Sequence, residues 1–94
     1  MNVKIVRLNT GEELLCAVKE LNDESYHLTD VSIIVPTQEK SIALMPYMPY
    51  SNISKDGITV KKEFVMFTVD AQKDLANHHK EIYSSLVLPN SGLV

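Results

Sequence analysis

The stretch formed by residues 3–35 constrains the fold most, because it predicts three consecutive antiparallel strands. The first strand, Val3–Leu8, is rich in β-branched residues and ends at Asn9-Thr10-Gly11. Glycine supplies the positive φ that a tight turn requires, so this tripeptide predicts a hairpin. A second polar cluster at residues 22–25 predicts the turn into the third strand. A chain that begins this way is expected to build a mainly β domain.

The second and third predicted strands carry apolar side chains on both faces. The third strand covers residues 26–35, and a strand of this length with two apolar faces bends across a small barrel or enters an interface. In the second strand the two-residue period predicts Leu14, Cys16 and Val18 on one face and Leu15, Ala17 and Leu21 on the other. In the third it predicts His27, Thr29, Val31, Ile33 and Val35 on one face and Leu28 and Ile34 on the other.

The remainder of the chain predicts three shorter strands and a helix. Residues 41–45 predict a strand that pairs with the third, and residues 58–61 and 65–69 predict two short strands around a turn at Lys61-Lys62-Glu63. Asp70 is a suitable N-cap for a helix over residues 71–86. The apolar stripe predicted to pack on the sheet consists of Leu75, His79, Ile82, Tyr83 and Leu86.

Two segments of the sequence together resemble the Sm, LSm and Hfq family. Residues 6–18, VRLNTGEELLCAV, followed by Leu21-Asn22 and Leu28-Thr29-Asp30, are similar to the first signature of that family. Residues 60–69, VKKEFVMFTV, look like the second signature, a basic turn that leads into a short closing strand. The two matches cover about half of the chain. The arrangement with a long middle segment and a helical tail is most similar to the short Sm-like proteins of tailed phages.

The resemblance implies a fold and an assembly. The fold would be a five-stranded, strongly bent antiparallel small barrel (Sm-like, SH3-like) with a C-terminal α-helix. A single domain would span residues 1–94, with the barrel in 1–69, the helix in 70–88 and a tail in 89–94. In this family the last strand pairs with the fourth strand of the next subunit and closes a ring. The resemblance therefore implies a homo-oligomeric ring of five, six or seven subunits.

The sequence departs from the family pattern at three places. Cys16 stands where the family usually has glycine. The turn before the third strand reads Glu24-Ser25-Tyr26-His27, where the family places an asparagine that contacts a base. Lys61-Lys62 replaces the Arg-Gly that is typical of eukaryotic and archaeal members. The resemblance therefore transfers the fold more directly than the RNA site.

Composition bounds the remaining possibilities. With 94 residues, 45% of them apolar and 22% charged, the chain is expected to fold as one ordinary globular domain. The net charge of −3 argues against non-specific nucleic-acid binding, although the basic turn at Lys61-Lys62 allows a local site.

A lone Cys16 excludes an intrachain disulfide and favours the cytoplasm, where it would be a small buried apolar residue. No apolar run is long enough to span a membrane, and no secretion leader is expected.

Motifs for catalysis and for cofactor binding are missing from the sequence. It contains no nucleophile elbow, no Walker loop and no dinucleotide fingerprint, and its carboxylates fall mainly on turns. Adjacent His78 and His79 point about 100° apart on a helix, so they cannot share one metal ion. Asp74 and His78 have the correct spacing but lack a third ligand. We therefore expect no enzymatic activity, no cofactor and no metal.

Two functions from different classes remain. The first is single-stranded RNA binding at the pore of the ring, with the aromatic ring at the third-strand turn stacking a base and the lysines holding phosphates or base edges. The residues predicted for this site are Tyr26, His27, Lys61 and Lys62. The alternative is that Lys61-Lys62 forms a solvated turn without a binding role.

The second function is a homo-oligomeric structural or adaptor module without an RNA role. The repeated Met-Pro-Tyr of residues 45–50 cannot sit in a central strand, because proline lacks the amide donor, and it predicts an extended, projecting loop through residue 57. The loop would bind a protein partner, or its side chains would pack against the C-terminal helix or a neighbouring subunit. The residues predicted for partner binding are Tyr47, Met48 and Tyr50.

Overall fold

The computed structural model describes residues 3–87, and within them the side chains of all but residues 54, 55 and 84–87. The predicted tail at 89–94 lies outside the described residues. Six strands and two helices form the structure, together with a short 3-10 helix, Lys62–Phe64. The strands are β1 (Val3–Leu8), β2 (Glu13–Glu20), β3 (Ser25–Pro36), β4 (Ile42–Pro46), β5 (Ile58–Lys61) and β6 (Val65–Asp70), and the helices are α1 (Ile53–Asp56) and α2 (Lys73–Val87).

All six strands belong to one antiparallel sheet, so the chain is mainly β with a C-terminal helix, as predicted. The strand order is β4-β3-β2-β1-β6, and β5 also pairs with β3. The free edge of β3 is shared, because Ser25 to Leu28 pair with β5 whereas Ser32 to Pro36 pair with β4. β4 and β5 therefore lie end to end and fill one position of the sheet. The five strands implied by the family resemblance are corrected to six, the number that the local patterns predicted, since residues 47–57 separate β4 from β5.

The sheet is not closed within residues 3–87. β6 pairs with β1 on one side, and neither β4 nor β5 pairs with its other side. Its two outer edges are thus formed by β6 at one end and by β4 with β5 at the other.

A β-bulge at Asp30 divides β3 into two halves. Leu15 pairs with Ser32 and Ala17 with Thr29, so two residues of β3 stand opposite the single Cys16 of β2. Asp30 has a φ of 54°, the left-handed conformation that a short polar residue tolerates best after glycine. The extra residue shifts the alternation by one, which brings Leu28 and Val31 into the same core. The predicted division of β3, with Leu28 and Val31 on opposite faces, is therefore wrong.

The buried cluster that contains Leu14 and Cys16 is closed by the segment after β4. Tyr47 and Met48 pack against the core from partly buried positions, and Ile53 of α1 is itself buried in it. The prediction of an extended, projecting loop is therefore wrong for this part of the chain. A buried branched residue at position 53 draws the loop back onto the sheet. The buried members of the core are Val6, Leu14, Cys16, Leu28, Val31 and Ile53.

α2 begins at Lys73 rather than at residue 71, because Asp70 continues β6 and pairs with Lys4. Of the predicted stripe, His79 and Tyr83 are buried and Leu75 and Ile82 are half-buried, while the Leu86 side chain lies outside the described ones. No helix among residues 3–87 is both long enough and apolar enough to cross a membrane.

Two side chains of α2 hold the backbone of β3 at the bulge. His79 Nε2 donates to the carbonyl of Asp30 at 2.7 Å, and Tyr83 donates its hydroxyl proton to the carbonyl of Val31 at 3.0 Å. Because the Tyr83 hydroxyl proton is donated to Val31, the Ser32 hydroxyl is the donor in the second bond, to Tyr83 Oη at 2.9 Å. The helix thus satisfies buried polar groups next to the bulge.

Candidate functional site

The pairing of β3 with β5 brings three of the four predicted RNA-site residues to one end of the sheet. Tyr26 pairs with Val60, and the preceding residue, Ser25, pairs with Lys61. The amide of Lys62 donates to the carbonyl of Glu24 at 2.8 Å, which ties the 3-10 helix to the β2–β3 turn. Tyr26, Lys61 and Lys62 therefore lie close together although 35 residues separate the first two in sequence.

Lys62 is already committed to partners within the chain. Its ammonium lies 5.0 Å from the centre of the Tyr26 ring and forms an ion pair with Glu20 at 2.5 Å. The hydrogen bond to Glu20 is the main cause that raises the pKa of Lys62. Lys62 is consequently a fixed cation on the aromatic face, neutralised by a neighbouring carboxylate.

His27 is not part of this group. It follows Tyr26 in β3, so the alternation of the strand directs it to the opposite face. There its Nδ1 contacts the hydroxyl of Thr59 at 3.1 Å. A Cβ built on Gly57 would lie 2.6 Å from His27 Nε2, so the imidazole is packed against a glycine that has no space for a side chain. The structure therefore separates His27 from the other three predicted residues.

Two grooves meet at Lys61. A polar groove of about 330 Å³ is lined by both lysines and by the carboxylates of Asp23, Glu24 and Glu63. A second groove of about 380 Å³, termed here the apolar groove, opens beside the end of β1. Lys61 lines both grooves and forms no ion pair with any described residue, unlike Lys62. The apolar groove is lined by Leu8, Asn9, Thr10, Thr59, Val60, Lys61 and Phe64.

Sequence reasoning missed the apolar groove because its walls come from three separate elements. Leu8 ends β1, Val60 lies in β5 and Phe64 ends the 3-10 helix. The amide of Asn9 donates to the carbonyl of Phe64 at 2.8 Å and holds two of these elements together. The signal in the sequence was a phenylalanine two residues after the lysine pair, on a turn where an apolar side chain has no core to fill.

The residues predicted to bind a protein partner are divided by the structure. Tyr47 and Met48 pack against the core, and burial is the main cause that raises the pKa of Tyr47, with Glu12 and Tyr50 adding to it. Met48 has a φ of 51°, and the Ser51 hydroxyl donates to its carbonyl at 2.7 Å, so the chain turns sharply here. Tyr50 alone projects, with 85% of its surface exposed.

Metal and nucleophile chemistry find no support in the described residues. Within that part of the chain no three His, Cys, Asp or Glu side chains are grouped as a metal site requires. Burial raises the pKa of the Cys16 thiol to about 12, so the thiol stays protonated at neutral pH. His79 uses Nε2 to hold the bulge. These groups serve the fold.

The two outer edges of the sheet expose large apolar side chains. On β6, Met66 is 62% exposed and is accompanied by exposed Phe67 and Val69. On β4, Met45 is 53% exposed and is accompanied by Ile42. Most apolar residues of the central strands are buried, so this apolar surface is concentrated where strand pairing ends.

No protein-family model matches the chain, and no curated protein matches it.

Proposed function

We propose that the chain is an Sm-like protein with a strongly bent small barrel, whose copies assemble into a homomeric ring that binds single-stranded RNA. The observation that carries the proposal is the pair of apolar edges, unpaired among residues 3–87, at opposite ends of one sheet. The lone buried cysteine fits a cytoplasmic setting.

Pairing of the β6 edge of one copy with the β4 edge of the next removes both edges at once. An exposed apolar edge strand is a template for association, and soluble proteins avoid leaving one bare. Because the two edges differ, their contact is heterologous, and repetition of a heterologous contact gives a closed ring when the rotation closes. The same pairing would cover Met66 of one copy and Met45 of the next.

RNA binding is supported by Tyr26, Lys61 and Lys62, which lie close together where β3 begins. Tyr26 supplies an aromatic ring on which Lys62 lies. Lys61, which has no ion pair with another described residue, lines two grooves large enough for part of a nucleotide. Acidic side chains of the polar groove reduce the local positive field, so binding by one subunit is expected to be weak. A ring repeats the group around its axis and thereby gains avidity.

Assembly is tested by placing a charge on each edge separately. Met66→Glu and Met45→Glu should each yield small species in light scattering, because a carboxylate cannot enter an apolar edge contact. Each variant keeps one intact edge, so an equimolar mixture should form a dimer and stop there. Leu21→Glu, at another exposed apolar residue, is the matched control and should leave the mass unchanged. A monomeric unmodified protein, or a Met66→Glu variant of unchanged mass, contradicts the proposed ring.

RNA binding is tested by fluorescence anisotropy with short oligouridine and oligoadenine at low salt. Affinity should fall steeply as salt rises, since phosphate contacts release counterions. The double variant Lys61→Ala/Lys62→Ala should abolish binding while keeping the mass of the assembly. If the assembled protein binds neither oligomer at low salt, the RNA part of the proposal fails even where the ring stands.

The exposure of Tyr50 favours a second candidate function, an adaptor ring that binds a protein partner. Tyrosine displayed on a turn is typical of interaction hot spots. Ile53 belongs to the core, so deletion of the whole loop would damage the fold, and Tyr50→Ala is the sharper change. The adaptor function predicts that a protein retained by the immobilised ring is lost with Tyr50→Ala while RNA affinity stays unchanged. Retention of the same proteins by both forms argues against it.

A further inference from the structure

We infer that the apolar groove holds a base of single-stranded RNA, that Lys61 contacts the phosphate of the same nucleotide, and that Lys62 is a structural residue. This inference rests on the proposed RNA function and specifies its site. It moves the base away from the ring of Tyr26 and onto Leu8, Val60 and Phe64.

The two adjacent lysines differ in their availability. Lys62 is held by Glu20 and lies over Tyr26, so a phosphate would have to displace a carboxylate at 2.5 Å to reach it. Lys61 is exposed and has no ion pair in the described part of the chain. A free ammonium forms a charge-assisted hydrogen bond with phosphate without first losing a partner. Lys61 is therefore the phosphate contact.

The apolar groove suits a flat heterocycle better than the polar groove does. Phe64 is 46% exposed and, with Leu8 and Val60, provides an apolar and aromatic wall on which a base can stack. The polar groove carries three carboxylates, which repel a phosphate nearby. Because Lys61 lines both grooves, a nucleotide can keep its phosphate at the lysine and place its base on the apolar side.

Polar groups at the rim of the apolar groove can read a base edge. The amide side chain of Asn9 makes no hydrogen bond with another described residue, and it offers both donors and an acceptor. Thr10 is on the same rim, with its hydroxyl donated to Glu12. The groove thus combines a stacking wall, a free amide and a free cation. This combination complements a nucleotide and does not complement an uncharged aliphatic ligand.

The matched test compares Lys61→Ala with Lys62→Ala, two changes of equal charge at neighbouring positions. Anisotropy with short oligouridine and oligoadenine should show a loss of about tenfold or more for Lys61→Ala, and the salt dependence should decrease by about one phosphate contact. Lys62→Ala should change affinity by no more than about threefold, as expected for a lysine that is already ion-paired.

Two changes in the groove itself test the position of the base. Phe64→Ala should weaken binding by about tenfold through loss of stacking, and Thr10→Trp should block the groove from an exposed turn position. Circular dichroism and light scattering confirm that each variant folds and assembles. If either variant does not fold, amide NMR of the unmodified protein replaces it, where oligouridine should shift Leu8 and Phe64 and spare Asp23.

The outcomes separate this inference from the proposed function. No RNA binding by the unmodified ring refutes both. RNA binding that is lost with Lys62→Ala and retained with Lys61→Ala and Phe64→Ala overturns the inference alone and assigns the base to Tyr26. A Thr10→Trp variant with altered assembly mass and unaltered RNA affinity also overturns it, because the groove is then a contact between subunits.

Discussion

The contact between α2 and the bulged strand allows a prediction with a defined magnitude. Tyr83 donates to the Val31 carbonyl at 3.0 Å and accepts from the buried Ser32 hydroxyl at 2.9 Å. Tyr83→Phe removes both bonds with little change in shape. The Val31 carbonyl still accepts from the Tyr47 amide at 3.2 Å, but Ser32 is left buried without its partner.

The expected losses of folding free energy follow from these hydrogen bonds. An intramolecular hydrogen bond contributes about 1 kcal/mol net, whereas a buried polar group left unpaired costs about 1–3 kcal/mol. Tyr83→Phe should therefore destabilise by about 2–3 kcal/mol. Ser32→Ala removes one bond and leaves the Tyr83 hydroxyl satisfied, so it should cost about 1 kcal/mol. The double variant contains no unpaired hydroxyl and should cost about 2 kcal/mol, less than the two single changes together.

Urea unfolding followed by circular dichroism measures these differences. The protomer concentration must be the same for every variant, because the proposed assembly would add to apparent stability by mass action. Tyr50→Phe, at an exposed hydroxyl, is the control and should change the free energy of unfolding by less than about 0.5 kcal/mol. Additive effects of the Tyr83 and Ser32 changes, within about 0.5 kcal/mol, would refute the reasoning, because they would show that the two hydroxyls do not interact.

Three further predictions concern the core and the backbone. The pKa of the Cys16 thiol is near 9 in the unfolded chain, and burial raises it to about 12 in the folded protein. The free energy of unfolding should therefore fall by about 1.4 kcal/mol per pH unit between these two values, and less steeply in Cys16→Ala. Gly57→Ala should destabilise by more than about 3 kcal/mol, because the new Cβ would lie 2.5 Å from the Leu28 carbonyl at a φ of 78°. Gly11→Ala meets no neighbouring atom and should destabilise by about 1 kcal/mol, and thermal unfolding measures both changes. Asp30→Val should destabilise by about 1–2 kcal/mol and Asp30→Gly should be nearly neutral, as the positive φ of the bulge requires.

Local patterns predicted most elements of the fold, and the errors arose where one residue changes the pattern. The hairpin at Gly11, the long third strand and the helix over His79 and Tyr83 follow from signals within a few residues. The bulge at Asp30 carries no such signal, because aspartate is common in ordinary turns and strand ends. One unrecognised bulge inverted the predicted faces of half a strand. Ile53 was likewise hidden among polar residues of a segment that its proline content marks as a loop.

Only part of the candidate site was predicted, because local sequence patterns do not show long-range contacts. The turn chemistry of Lys61 and Lys62 is visible in the sequence, and the pairing of β3 with β5 brings them beside Tyr26. Which lysine is free depends on Glu20, which is 42 residues from Lys62 and approaches it only in the folded sheet. A sequence pattern identifies the two cations, and long-range packing decides their roles.

Charge and assembly constrain the proposed function together. Each copy has a net charge of −3, so the proposed ring would accumulate negative charge in proportion to its size and would repel RNA at long range. Attraction must then come from contacts that are shorter than the Debye length, about 8 Å at physiological ionic strength. A free lysine beside an apolar wall meets that requirement, whereas a lysine neutralised by Glu20 does not. In the proposed ring, repetition of such a contact would multiply weak affinities for one strand, and the apolar edges of β4 and β6 and the groove at Lys61 would then belong to one functional arrangement.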